Sequence, residues 1–351
     1  MSAALVLTCS LLVWAGHPKL PSKKQAEAML QRAADAANLW APGTPPYHLS
    51  ATVHLELGGS KFDGRYDLWW AAPDKYREGF LMPANGGTIV ETDLALGNKF
   101  YVLRNTPALS IPLWRTRNLI RSVAMRIYSQ DTMDIGAVHR SKSGGTDKTC
   151  VDAGENEMQL TIGAVTELCF DAAGDLISTS TVPGSEVRTP EQVDAIKAMA
   201  WTAEEFQAFA TGKRFPHRIG IHQNDLALEL TVNTLETSAH FDHDTFEPSA
   251  RAAVLDWCPN PMIGKNSKEM KYVRNGPHVN TKVPGSYIAY YVYVQPDGNV
   301  SKVVPLRSDG KSVDRRMEDW FRKFPFPTRS CGGQRIPWEG IVNPPEIISF
   351  F

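Results

Sequence analysis

"ATVHLELGGSKFDGRYDLWW", residues 51–70, is the stretch on which the fold turns. Ala51, Val53, Leu55 and Leu57 alternate with Thr52, His54 and Glu56, a period of two that places the apolar set on one side of a strand. "GSKFDG", residues 59–64, reads as a turn, after which Tyr66, Leu68 and Trp70 alternate with Arg65, Asp67 and Trp69. Two long antiparallel strands with a shared apolar face are therefore expected, Val53, Leu55 and Leu57 lying opposite Tyr66, Leu68 and Trp70. Pro73-Asp74 forms the next turn, and "KYREGF" begins a return strand.

Upstream, Ser22-Lys23-Lys24-Gln25 has the pattern of a capping box, and Met29, Leu30, Ala33 and Ala37 follow at helical spacing to about residue 38. Downstream, strands are expected near residues 89–92 and 99–103. A helix is expected from Pro112, with Leu113, Ile120 and Val123 on its apolar side and Arg115, Arg117 and Arg121 on a solvated one. A β run spans residues 148–182. Two short helices are expected over residues 190–209, because Thr189-Pro190-Glu191-Gln192 and Thr202-Ala203-Glu204-Glu205 both look like capping boxes. Strands near 214–222 and 226–235 complete this part. Periodicity fades over residues 249–269, which reads as a linker, and a final part starts near Met270.

That final part contains "YIAYYVYVQPDGNVSKVVPL", residues 287–306: alternation, a turn at Pro296-Asp297-Gly298-Asn299, and alternation again, a β-hairpin. A helix capped by Ser312 follows, with Val313, Met317, Trp320, Phe321 and Phe324 on its apolar face and Pro325 and Pro327 as its stop. "QRIPWEGIV" is the closing strand.

The chain has 351 residues, about two domains' worth, with 42% hydrophobic residues and a net charge of −1. No basic excess favours nucleic acid as a partner. Residues 3–14 form an uncharged apolar run followed by Ala15 and Gly16. It is too short to span a bilayer, of signal-peptide length, and not preceded by Lys or Arg. Residues 1–21 are expected to be a signal peptide and the protein to be exported to the periplasm or cell envelope. Cys9 lies inside that run. Cys150, Cys169, Cys258 and Cys331 remain, an even number in an oxidising compartment, and allow three pairings. The most local is Cys150 with Cys169, which leaves Cys258 with Cys331; the alternative is four small buried apolar side chains.

No G-x-S-x-G, P-loop, G-x-G-x-x-G or H-E-x-x-H occurs, so neither an enzyme nor a cofactor is expected. "HFDHD", residues 240–244, lacks a Cys or Glu at ligand spacing and reads as a polar turn rather than a metal site.

Residues 47–80, "YHLSATVHLELGGSKFDGRYDLWWAAPDKYREGF", with "LTVNTLETSAHFDHDTFEPSARA" at 230–252, resemble the LolA/LolB-type lipoprotein-carrier family over about residues 22–248. The resemblance implies an open, strongly curved antiparallel sheet, an unclosed barrel with helices on its concave side, that holds acyl chains. Val53, Leu55, Leu57, Tyr66, Leu68 and Trp70 are then candidate lipid-binding residues. An ordinary packed core would show the same alternation.

Residues 270–351 resemble the C-terminal domain of the TonB energy-transducer family. The resemblance rests on Val292-Tyr293-Val294, Asp297-Gly298-Asn299-Val300, Ser308-Asp309-Gly310, Asp314, Trp320, Phe324-Pro325-Phe326-Pro327, Gly332-Gly333-Gln334 and Ile341-Val342. It implies a small ββαβ module that receives a strand from an envelope protein at its sheet edge. TonB proteins also carry an uncleaved membrane anchor and a long Pro-rich spacer; the apolar run at residues 3–14 is short and no such spacer is read here, so the resemblance implies the fold better than energy transduction. The expectation is an α+β, non-enzymatic envelope protein that binds lipid or lipoprotein acyl chains with its first part and a protein partner with its second. The alternative is an adaptor or scaffold with no lipid ligand.

Overall fold

A computed structural model describes residues 20–342 except 85–86, 129–133, 144–145, 155–159, 161–163, 184–199, 224, 239, 260, 264–287, 309 and 325. The expected signal peptide therefore lies almost wholly outside the described residues.

Helix α1 (Lys23–Ala37) opens on the expected capping box: the Ser22 hydroxyl accepts from the Gln25 amide, and the Gln25 side chain accepts from the Ser22 amide. Five antiparallel strands follow as a meander: β1 (Tyr47–Leu57), β2 (Ser60–Ala72), β3 (Lys75–Ala84), β4 (Gly87–Leu96) and β5 (Lys99–Arg104). Helix α2 (Ile111–Tyr128) then crosses to the far end of the sheet. There a second meander begins: β6 (Asp134–Ser143), β7 (Thr146–Gly154), β8 (Ala164–Phe170), β9 (Leu176–Pro183), β10 (Ala200–Ala210), β11 (Lys213–Gln223) and β12 (Leu226–Thr237). β12 pairs with β1 and joins the two meanders, and β13 (Ala253–Asp256) returns to pair with β5. The thirteen-stranded sheet runs β13-β5-β4-β3-β2-β1-β12-β11-β10-β9-β8-β7-β6. β13 and β6 remain its two edges, so it does not close into a barrel. Helices α1 and α2 pack together on one face, its inner face.

Three sequence expectations change here. The β1–β2 turn is two residues, not six: Leu57 pairs with Ser60, and Gly58 and Gly59 both take positive φ, the backbone of a tight hairpin turn. Lys61 through Gly64 are therefore strand, and the register shifts with them. Ala51, Leu49 and Tyr47 face Tyr66, Leu68 and Trp70, while Val53 and Leu55 face Gly64 and Phe62. Residues 200–209 form strand rather than helix. Trp201 and Ala203 are buried while Thr202 faces Ser178 and Gly220 across the sheet, so alternation with two partner strands overrides a local capping pattern. Residues 190–199 lie outside the described residues. The expected linker is not free chain over 253–256, because β13 extends the sheet edge there.

The final part has β15 (Ala289–Val294) and β16 (Val300–Arg307) as the expected hairpin, α3 (Lys311–Lys323), and β19 (Trp338–Val342) paired to β15, a three-stranded sheet ordered β16-β15-β19. A short second sheet joins β14 (Met262–Ile263), β17 (Arg329–Cys331) and β18 (Gln334–Ile336). Gly310, not Ser312, is the N-cap of α3. The first turn is held instead by Asp314, which accepts from the Tyr290 and Ser308 hydroxyls, both at 3.0 Å. At the hairpin turn Gly298 takes φ +90, and a β-carbon there would sit 2.8 Å from the Phe326 carbonyl oxygen. Only glycine meets both conditions.

β15 is buried on both faces. Tyr290, Val292 and Val294 pack with Met317 and Phe321 of α3 and with Phe324 at its C-cap. Ala289 and Tyr291 belong to the core of the large sheet, with Ile341 from β19 beside them. The small sheet is thus one layer between α3 and the first part of the chain.

Candidate functional site

The expected apolar face forms and is filled. Val53, Leu55, Tyr66, Leu68 and Trp70 are each at most 1% exposed, and Leu57 is partly buried. They share one cluster with Ala26, Leu30 and Ala33 of α1 and Leu119, Ile120 and Val123 of α2. The adjacent tryptophans diverge. Trp70 stacks on Tyr47 inside, ring centroids 5.3 Å apart, and Trp69 stacks on His48 outside at 4.9 Å. The Tyr47 hydroxyl and the Trp70 indole N–H are buried without a hydrogen-bond partner among the described residues. Burial raises the Tyr47 hydroxyl's pKa well above the usual phenol value.

Beside this face lies a buried network of charges. Arg117 and Arg121 turn inward, contrary to the expectation of a solvated face, because α2 lies against the sheet. The Arg117 guanidinium reaches Glu78 on β3 at 2.6 Å and Asp93 on β4 at 2.5 Å. Arg121 stacks over Trp40, 4.3 Å from the ring centroid, and lies 3.6 Å from Glu78. Tyr66 donates to Glu78 at 3.0 Å. Arg104 from β5 meets Glu91 at 3.2 Å, Asp93 at 3.0 Å and Glu339 of β19 at 2.7 Å, and Tyr291 donates to the same Glu339 at 2.7 Å. Burial alone would raise the Asp93 carboxyl's pKa, but Arg104 and Arg117 hold it below the ordinary value. At Glu91 burial wins, and its pKa is raised despite the Ser110 hydrogen bond and Arg104. The sequence carried a signal for this: Glu78 falls between Tyr76 and Phe80 on an inward-facing parity of β3, and Arg117 and Arg121 are one helical turn apart.

Where α2, the β13 region and the small sheet meet, there is a cavity of about 220 Å³. Its walls include Tyr76, Trp114, Trp257 and Trp338, and its charged groups are Arg117, Arg121, Asp256, Arg329 and Glu339. Arg329 stacks on Trp338, its guanidinium carbon 4.6 Å from the ring centroid. Burial lowers the Arg329 pKa, and no carboxylate among the described residues offsets that. An unpaired, half-buried guanidinium amid indole rings can hold an anion next to apolar surface. Nothing in the sequence marked Arg329, which stands 208 positions from Arg121. Neither Val53 nor Leu68 reaches this cavity; Tyr76, paired with Trp70, is the nearest link.

Both expected disulfides are present. Cys150–Cys169 ties β7 to β8, and Cys258–Cys331 ties the chain after β13 to β17. His240, Asp242 and His243 belong to an exposed stretch around a short 3-10 turn (His243–Phe246), not to a strand.

No family model matches the chain, and no curated protein matches its sequence. Among solved structures, a LolA superfamily protein from Nitrosomonas europaea is similar at 11% identity and a TM-score of 0.36, covering 63% of this chain and 97% of its own. An outer membrane lipoprotein-sorting protein domain from Vibrio parahaemolyticus is similar at 10% identity and a TM-score of 0.38, covering 64% and 97%. The MucA/MucB complex structure of Pseudomonas aeruginosa is similar at 12% identity and a TM-score of 0.27, covering 91% and 93%. At such scores these likenesses say nothing of what this chain binds.

Proposed function

We propose that this is an exported, non-enzymatic cell-envelope protein that binds an acyl-bearing lipid or lipoprotein. The observation that carries the reading is the junction cavity: aromatic walls, an Arg329 with no carboxylate partner among the described residues, and a position beside the inner face of an unclosed sheet. An acyl chain lies against apolar surface, and its anionic head meets Arg329. Each buried methylene contributes about 0.8 kcal/mol, so a short segment of chain is enough for useful affinity. Longer chains reach Val53, Leu55, Leu57, Tyr66, Leu68 and Trp70 when α1, whose buried side is mostly alanine, lifts from the sheet. The ββαβ module, TonB-like in sequence pattern, receives a partner's strand at an edge of its sheet.

A second reading, a scaffold with no lipid ligand, is favoured by the complete burial of that inner face. Native mass spectrometry of protein taken from its own envelope, followed by lipid extraction, separates the two. Lipid that co-purifies, is lost in Leu68→Glu with the fold intact and is weakened in Arg329→Met supports the carrier. Absence of lipid, together with no response to fluorescent fatty acids, leaves the scaffold.

A further inference from the structure

On the outer face of the sheet, three adjacent strands place His139, Cys150 and Cys169 in one row: His139 of β6 pairs with Cys150 of β7, which pairs with Cys169 of β8. Glu167, two residues before Cys169 on the same side of β8, takes the His139 Nε2 at 3.0 Å. One ligand atom each from His139, Cys150 and Glu167 lie within 4.8 Å of one another, and the disulfide holds the Cys169 sulfur against that of Cys150. Cys150 and Cys169 are buried, while His139 and Glu167 are half-buried and open to solvent. The row therefore has a buried sulfur floor and an accessible nitrogen and oxygen rim.

We propose that reduction of Cys150–Cys169 creates a site for a divalent metal of the Zn²⁺ class, held by Cys150, Cys169, His139 and Glu167. Tetrahedral Zn²⁺ takes sulfur at about 2.3 Å and nitrogen or oxygen at about 2.0–2.2 Å, so its ligands stand about 3.3–3.8 Å apart. Rotation of the His139 and Glu167 side chains closes the remaining distance, and the two sulfurs separate once their bond is gone. A dithiol reductant supplies two electrons and two protons: the Cys150–Cys169 bond breaks, two thiols form, and the reductant's own disulfide forms. Metal binding then releases both thiol protons to solvent, and the carboxylate exchanges His139 for the ion. Two thiolates, an imidazole and a carboxylate suit Zn²⁺ and exclude Ca²⁺ and Mg²⁺, which take oxygen ligands. The disulfide is thus the closed form of the site, pinning β7 to β8, and the metal complex its reduced form, which adds β6 through His139.

The test uses the full chain with Cys9→Ser, Cys258→Ser and Cys331→Ser, which leaves only Cys150 and Cys169 of the five cysteines. Reduced, freed of reductant and titrated anaerobically with Co²⁺, it should bind one ion with thiolate-to-cobalt charge-transfer absorption that Zn²⁺ abolishes. The oxidised chain should show none. His139→Ala and Glu167→Ala should each weaken Co²⁺ binding more than about tenfold, since even outer-shell losses cost about that much. Circular dichroism checks that each variant is folded. Absence of charge-transfer absorption in the reduced, folded chain overturns the proposal, and so does equal affinity in the His139→Ala/Glu167→Ala double variant. If the three serine changes prevent folding, the reduced wild-type chain is compared with Cys150→Ser/Cys169→Ser. Equal Co²⁺ binding by those two overturns it as well.

Discussion

Replacing Arg104 with methionine removes a cation that joins the two parts of the chain through buried charge. Arg104 sits between Glu91 and Asp93 of the large sheet and Glu339 of the small one, and its side chain is 6% exposed. Without it, three carboxylates lose their shared counter-ion, Asp93 alone keeping an arginine, Arg117, within ion-pair distance among the described residues, and breaking a buried pair from one side costs about 3–5 kcal/mol. Glu339→Met costs less, about 2–3 kcal/mol, because Arg104 keeps Glu91 and Asp93 while Tyr291 loses its acceptor. The double variant should lose less than the sum, with a coupling of about 2 kcal/mol. A built-in control exists across the same junction: Arg307 pairs with Asp225 at 2.5 Å, both side chains more than a quarter exposed. That pair should couple by about 1 kcal/mol or less and weaken in 1 M salt, whereas the buried coupling should not. Urea unfolding followed by tryptophan fluorescence measures both cycles. A coupling below about 0.5 kcal/mol for Arg104 and Glu339, or one that vanishes in salt, would refute the view that buried charge clamps the small sheet to the large one.

Gly298→Ala should destabilise the β15–β16 hairpin by about 1–3 kcal/mol, since the alanine meets both a positive φ and the Phe326 carbonyl; hydrogen exchange in β15 and β16 reads it, and wild-type protection would count against the turn geometry. Asp93 and Glu91 should shape the acid limb in opposite senses. Asp93, held low in the folded protein, stabilises fully above the unfolded carboxyl value of about 3.9 and loses this as pH falls through its folded value. Glu91, raised by burial, favours the folded state increasingly as pH falls from above its folded value toward about 4.3. Unfolding at stepped pH should therefore show Glu91→Gln flattening the curve above about pH 4.3 and Asp93→Asn flattening it below about pH 4; the reverse pattern would contradict the network. Cys258→Ser/Cys331→Ser opens a closure of 73 residues, so it should cost about 4 kcal/mol in the chain-entropy account, against about 3 kcal/mol for Cys150→Ser/Cys169→Ser; urea midpoints in the two double variants test the order.

The elements with strong alternation were legible. β1 and β2 announce themselves because one face is apolar and the other is not, and the capping box at Ser22 is local chemistry that no distant contact disturbs. What failed was decided at a distance. Thr202-Ala203-Glu204-Glu205 has the local chemistry of a helix start, yet β9 and β11 pair with that segment and bury Trp201 and Ala203. The arginines of α2 read locally as a solvated run of charge; the carboxylates that draw Arg117 inward stand on strands 24 and 39 positions earlier. The candidate lipid face was legible as a face, but alternation reports only that a side is apolar. Whether helices fill it depends on where α2 crosses, which the local pattern does not encode. Arg329 and its cavity arise from five separated stretches of chain and left no local trace at all.

"YIAYYVYV" holds a further lesson about how the small module acts. A strand with one covered face alternates apolar and polar residues, yet residues 288–294 carry apolar or aromatic side chains on both parities. The structure gives the reason: α3 covers Tyr290 and Val292, and the core of the large sheet covers Ala289 and Tyr291. A module cut free at Ile288 would expose the second face, including Ile341, as a contiguous apolar patch. It would also leave Glu339 without Arg104 and Arg307 without Asp225. Such a fragment would capture proteins through that patch whether or not its edge receives a strand. Strand addition must therefore be tested in the intact chain, with proline substitutions along β16, the edge strand opposite β19. Binding that survives proline at every outward amide of β16, in a chain that still folds, would remove that edge from consideration.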